Sequence, residues 1–340
     1  MKIQQLICSD IRKIEVEEVE LEPLPDDGIL VQNQVTAVSI GTELWNWVHG
    51  ANPGQTARFP RTTGYCNTGV VLEVGKDVTD VKPGDHIAGR GNHASHYVAQ
   101  SASYKGLYHR IPDKGVDPKS AVYLNLAAIA MHGARVAKVE LGEAVAITGM
   151  GIVGQLALVL VQLNGGMPTI AVDFDEFRLG FAKEQGVDVC LNPAKVDDMA
   201  EAVREYCVED GVNVVIEATG KPAAYPMAIK LACMGGRFVA LGSPRGTVEF
   251  SFLEDVHLRE VKMLGAIQPK TPDRDHIYYR WTKDRDRNFL LKLMADGKLS
   301  PADLVTHVFK PEDCQRVYEM LADRAQEEKV LGVVFDWENV

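Results

Sequence analysis

The sequence predicts an α/β protein of two domains: a doubly wound parallel sheet inserted into a β-rich domain that the chain leaves and later re-enters. Three observations predict it. Short β-prone runs separated by Pro, Gly and Asp turns fill the first third of the chain. From Glu143 to about Gly265 strands alternate with amphipathic helices, the signature of a parallel sheet covered on both faces. After Gly265 that alternation stops. At 340 residues the chain has room for two cores, and the expected boundaries are 1–121, 122–265 and 266–340.

The elements follow in order. Residues 29–35, 69–74 and 86–88 read as strands, with turns at 25–28 and 82–85. Residues 117–139 turn helical, with Ala121, Leu124, Ala128 and Met131 on one face. Strands are then expected at 144–148, 169–173, 187–191, 212–217 and 237–241. Helices are expected at 152–163, 175–185, 196–207 and after Lys221. Right-handed crossovers wind such a set into a Rossmann-type sheet. The tail holds a charged, aromatic stretch at 274–287, a helix at 288–295 and a last apolar run at 330–335, which should return to the first domain.

Composition narrows the function. Apolar residues at 46% and charged residues at 24% belong to a soluble globular chain, and a net charge of −11 repels nucleic acid and anionic membranes. No run approaches the ~20 apolar residues of a membrane span, and residues 1–20 lack the apolar core of a signal peptide. A cytoplasmic location is expected. The six cysteines, Cys8, Cys66, Cys190, Cys207, Cys233 and Cys314, form no C-x-x-C pair and are expected as reduced, mostly buried thiols.

Gly149-Met150-Gly151-Ile152-Val153-Gly154 follows a predicted strand and opens a predicted helix, the setting that gives a G-x-G-x-x-G run meaning. Gly149 permits the tight turn, Gly151 admits a pyrophosphate against the backbone, and Gly154 lets helix and strand close together. Ile152 and Val153 begin the helix whose N-terminus faces the phosphates. Asp173 ends the next strand, 19 residues beyond Gly154, where a carboxylate binds the adenosine ribose and repels a 2′-phosphate. NAD is therefore favoured over NADP, with Arg178 as a flanking residue that would weaken the preference. Ala218 and Thr219, and Leu241, Gly242 and Ser243, lie past the ends of two further strands and are candidates to flank nicotinamide and its ribose. Ordinary strand-to-helix turns are the plainer alternative.

The order of motifs resembles the medium-chain dehydrogenase/reductase superfamily over nearly the whole chain. The matching text is Ser39-Ile40-Gly41-Thr42-Glu43-Leu44, Gly69-Val70-Val71-Leu72-Glu73-Val74-Gly75, Lys82-Pro83-Gly84-Asp85-His86-Ile87, the glycine fingerprint and Val172-Asp173. The resemblance implies a GroES-like (chaperonin-10-like) catalytic domain, a Rossmann domain, a cleft between them, and a homodimer or homotetramer. Zinc-dependent relatives carry Cys-Gly-Thr-Asp where this chain has Ile40-Gly41-Thr42-Glu43, and Gly-His-Glu where it has Gly64-Tyr65-Cys66. Their third ligand falls near Asn125, and residues 99–110 lack the cysteines of their structural zinc lobe. Isoleucine cannot ligate, and tyrosine and asparagine are poor zinc ligands. No metal is expected, with Cys66 beside a histidine as the basis for the opposite view. The chain is similar to a zinc-free branch.

Without zinc, hydrogen bonds must steady the reacting oxygen. By the resemblance, Thr42 matches the hydroxyl that touches this oxygen, and Tyr65 replaces a ligand and points into the vacated space. Tyr65 is the expected acid/base, helped by the positive nicotinamide ring. Glu43 orients its neighbours. His49 is a further candidate, with Trp45 and Trp47 as possible pocket walls and His93 and His96 as relays or structural histidines. No Tyr-x-x-x-Lys pair is present, so this is not a short-chain dehydrogenase. The expected reaction is hydride transfer between NAD and a secondary alcohol, with sugars, polyols and other polyhydroxylated molecules as candidates. A quinone or enoyl reductase using NAD(P)H and a non-catalytic dinucleotide-binding protein are the alternatives.

Overall fold

The computed structural model describes residues 1–100, 108–112, 115–323 and 329–338. The chain divides into two compact units, Met1–Leu126 with Pro272–Val340, and Ala127–Thr271. Both boundaries fall later than the expected 121/122 and 265/266. The first turn of the helix Leu124–Ala137 is tied to the first unit, because Asn125 donates to the carbonyls of Tyr65 and Gly89. At the other end Ala266 N–H still bonds Ala240 O, and Thr271 Oγ1 lies 3.0 Å from His132 Nδ1.

The second unit is a six-stranded parallel sheet. Its strands run Val189–Leu191, Thr169–Val172, Val145–Thr148, Val212–Glu217, Ala232–Ala240, Lys262–Gly265. Counted along the chain the order is 3-2-1-4-5-6, the doubly wound Rossmann arrangement. Val145–Thr148 and Thr169–Val172 are buried at every position, which is why they read as unbroken apolar runs. Asp175 caps the helix Glu176–Glu184 by accepting from Phe177 N–H. Asp198 caps Met199–Arg204, so that helix starts three residues later than the expected 196. The segment after Lys221 is a tight turn, Pro222–Ala224, running into a short helix, Tyr225–Ile229. The edge strand Lys262–Gly265 was not expected; three of its four residues are exposed, so it carries no apolar run.

The first unit holds two sheets and has the GroES-like form. In the larger, Gly28–Ala37 pairs antiparallel with Asn67–Val74, with His96–Gln100 and with Gly332–Asp336. The sheet extends through His86–Gly89 to Tyr108–Arg110 on one side. On the other it ends at Val305–Phe309, which runs parallel to Gly332–Asp336. The smaller sheet joins Lys13–Glu20, Lys2–Asp10 and Arg61–Thr62. Its core packs Leu6, Trp47, Tyr318, Phe335 and Trp337 together. Residues 101–107, within the segment where a structural zinc lobe would sit, lie outside the described residues. No helix among the described residues is long and apolar enough to cross a membrane.

Candidate active site

In the first unit the motif Ser39–Leu44 folds as a wide helical turn, Ile40–Leu44, continued by the helix Trp45–His49. Glu43 is 4% exposed and its carboxylate is fully engaged. Oε1 accepts from Ser39 N–H at 2.7 Å; Oε2 accepts from Thr63 Oγ1 at 2.9 Å and Tyr318 Oη at 2.6 Å, and lies 2.9 Å from His93 Nε2. His93 Nδ1 lies 2.6 Å from Thr36 Oγ1, which accepts from Trp337 Nε1. An ionised carboxylate can only accept, so His93 Nε2–H donates to Glu43. Burial alone would raise the Glu43 carboxyl; the His93 ring, Tyr318 and the Ser39 amide outweigh it and hold it below the usual value.

Tyr65 is half-buried, and its phenol hydrogen-bonds the Ser39 hydroxyl and the Thr42 side chain. The Arg90 guanidinium lies 5.7 Å from the centre of the Tyr65 ring. Burial pushes the phenol well above its ordinary value, so at neutral pH it is a proton donor rather than a ready base. Thr42, Glu43 and Tyr65 are thus brought together, with Ser39 as the link between them.

The other candidates of this unit separate. His49 is exposed and lies against Trp45, ring centres 4.1 Å apart, outside the Glu43 and Tyr65 groups. Trp47 is no pocket wall: it is 1% exposed and packs edge-on against Tyr318. His93 is a fully buried member of the Glu43 network, and His96 lies 3.1 Å from Ser95 Oγ.

The positions where zinc-dependent relatives hold their ligands do not suit a metal here. Asn125 spends its amide on two carbonyls, Tyr65 bonds to hydroxyls, and the Cys66 thiol is fully buried, raised by that burial and in contact with the Leu126 amide. Among the described residues no three His, Cys, Asp or Glu side chains gather as a metal would need.

In the second unit the fingerprint forms the turn its glycines imply. Gly149 has φ +88°, and a Cβ there would meet Thr219 Cγ2 at 2.7 Å. A Cβ on Gly154 would fall 1.9 Å from Gly149 O, whereas one on Gly151 would meet nothing within 4 Å. The close contacts are on the strand side and the open side is at the N-terminus of Ile152–Leu163, so this cradle fits a dinucleotide pyrophosphate. Ile152 is buried and Val153 half-buried behind it. Asp173 follows its strand, its carboxylate accepting from Met150 N–H at 2.7 Å and Asp175 N–H at 2.9 Å. These two bonds fix its direction and leave each oxygen a second lone pair. Arg178 is half-buried, Nε 3.5 Å from Asp175 Oδ2.

Glu217, which opens the strand-end segment 217–220 and was given no role of its own, organises the remaining loops. Its buried carboxylate accepts from the Thr219 N–H and hydroxyl and from Gly220 N–H; its carbonyl accepts from Leu241 and Gly242 N–H. A Cβ on Gly242 would come within 2.3 Å of Gly220 N. Ala218, Thr219, Leu241, Gly242 and Ser243 therefore form one packed group past the strand ends. Burial raises the Glu217 carboxyl. Ser39, Thr63 and Tyr318 were also missed. Ser39 stands within the motif, but the Tyr318 contact to Glu43 spans 275 positions and leaves no local mark.

A Rossmann sheet with a complete phosphate turn, joined to a GroES-like unit with a buried hydroxyl group, defines a two-unit oxidoreductase. The family profile described as "Zinc-binding dehydrogenase" matches residues 153–280, a span that includes none of positions 40, 65 or 125. D-guloside 3-dehydrogenase of Shigella flexneri is 29% identical over 270 residues, covering 78% of this chain and 75% of that one. D-xylulose reductase A of Aspergillus oryzae is 25% identical, covering 96% of each. A Sinorhizobium meliloti structure described as a candidate zinc-binding dehydrogenase, with NADP bound, has a TM-score of 0.82 at 21% identity, covering 99% of each chain. The chain is an oxidoreductase of the alcohol dehydrogenase type, similar to such dehydrogenases over most or nearly all of its length.

Proposed function

We propose that the protein is an NAD-dependent, zinc-independent dehydrogenase that exchanges hydride with a secondary alcohol on a sugar, polyol or similar polyhydroxylated molecule. The observation that carries this reading is the Tyr65 phenol, bonded to Ser39 and Thr42 where zinc-dependent relatives place a ligand. The named relatives supply the substrate class: both act on sugars or their derivatives. NAD, when bound, accepts or returns the hydride. Gly149, Gly151 and Gly154 admit its pyrophosphate, Ile152 and Val153 open the helix behind it, and Asp173 takes the adenosine ribose beside Arg178. Ala218, Thr219, Leu241, Gly242 and Ser243 carry the nicotinamide half.

In the reducing direction Tyr65 gives its proton to the carbonyl oxygen, while Thr42 holds that oxygen and Glu43 holds the turn that bears Thr42. The protein works in the cytoplasm, as a homodimer or homotetramer in keeping with its family. Turnover of D-glucitol, xylitol and methyl β-D-glucopyranoside with NAD⁺, before and after exhaustive chelation, tests the reading. Activity should survive chelation, and Tyr65→Phe should lower kcat by about 10²-fold or more, the usual worth of a general acid. Stoichiometric zinc whose removal abolishes turnover, or a fully active Tyr65→Phe, would overturn it.

A further inference from the structure

The role given to Tyr65 leaves a chemical requirement unmet. A phenol that surrenders its proton in a half-buried place becomes a phenolate, and burial disfavours that charge. Zinc-free chemistry through Tyr65 therefore needs groups that donate to its oxygen. We propose that Ser39 is a positioning residue for the reaction: its hydroxyl donates into the Tyr65 oxygen and stabilises the phenolate formed in turnover.

The geometry of Ser39 supports this. Its backbone is clamped on both sides: its N–H bonds Glu43 Oε1, and its carbonyl accepts from Thr42 N–H at 3.0 Å and Glu43 N–H at 2.8 Å. The Ser39 side chain, 6% exposed with its residue, is thereby held against Tyr65 Oη. A phenol oxygen has one proton and two lone pairs. With Ser39 donating into one lone pair, the phenol proton is left for the substrate oxygen. The Glu43 carboxylate is occupied by Ser39 N–H, Thr63, Tyr318 and His93, so it does not compete for these hydroxyls.

The proton count closes with water. In reduction the carbonyl carbon receives hydride from the dinucleotide, the oxygen takes the Tyr65 proton, and the phenolate recovers a proton from solvent. In oxidation the phenol first loses its proton to solvent. The phenolate then takes the alcohol O–H proton as the C–H bond yields hydride to the dinucleotide.

The proposal rests on the reading of Tyr65 as the acid/base, and a double-mutant cycle separates the two. Ser39→Ala, Ser39→Thr, Tyr65→Phe and the Ser39→Ala/Tyr65→Phe pair are assayed with the most active alcohol of the panel across pH. Removing a donor to the charged form raises its pKa. Ser39→Ala should therefore lower kcat about ten-fold, leave KM within about two-fold, and move the alkaline rise of the oxidation rate up by roughly one pH unit, in line with one lost charge-assisted hydrogen bond. Ser39→Thr, which keeps the hydroxyl, should restore the pH profile. In the Tyr65→Phe background Ser39→Ala should change nothing further. A loss of kcat in Ser39→Ala with an unmoved pH profile, or effects that multiply in the double variant, would overturn the role of Ser39 while leaving Tyr65 intact. A fully active Tyr65→Phe removes both.

Discussion

Glu43 shows how one buried side chain ties a turn to distant parts of its unit. Its buried carboxylate receives donors from Ser39, Thr63, His93 and Tyr318, and so binds the turn bearing Thr42 to strand and helix residues far away in sequence. Its carboxyl is held below the ordinary value, so the stability it contributes is fully present above the unfolded value of ~4.3 and is lost as pH falls through the lower folded value. The melting temperature of the wild type should fall on acidification below about pH 4, and Glu43→Gln should show a smaller acid-dependent part. The Gln variant should also be destabilised at neutral pH by about 3–5 kcal/mol, since the remaining donors keep their burial but lose their charged acceptor. An unchanged melting temperature at pH 7 would mean that the network relaxes around the amide. Glu43 was legible as a motif residue. Its partners were not: Tyr318 and Trp337 are ordinary aromatic residues until the chain folds.

Elements of strong period were the most readable. The helix Ile152–Leu163 and the strand Val212–Glu217 have the bounds their apolar patterns imply. Lys262–Gly265 and Lys13–Glu20 escaped notice because they are largely exposed, and Lys2–Asp10 because Gln4 and Gln5 interrupt its buried apolar residues. The phosphate turn was legible as well: the sequence assigns each glycine a separate role, and the contacts add the distances. Gly154→Ala must force a Cβ into Gly149 O and should cost about 1–3 kcal/mol of stability, as overpacking does. Gly151→Ala meets no protein atom, so its melting temperature should stay near that of wild type while the dissociation constant for NAD rises. Calorimetric melting with a binding titration of both variants checks this, and equal melting losses would show that the two glycines are not so divided.

At the scale of the whole molecule, ligand binding to the folded chain is the simplest global readout. NAD at about 100 times its dissociation constant should add about 2.7 kcal/mol to stability. NADP brings its 2′-phosphate towards Asp173, whose direction is fixed by the Met150 and Asp175 amides, and should add much less. Equal rises in melting temperature for the two would remove the preference for NAD. The division into two units was visible in the changing texture of the sequence, while the boundaries were misplaced because Asn125 and Ala266 belong to their units through bonds to distant backbone. The late strand Gly332–Asp336 lies between Gly28–Ala37 and Val305–Phe309. During synthesis, therefore, the contiguous span Ala127–Thr271 can leave the ribosome whole and close its sheet, while the larger sheet of the other unit stays open until Gly332–Asp336 has been made.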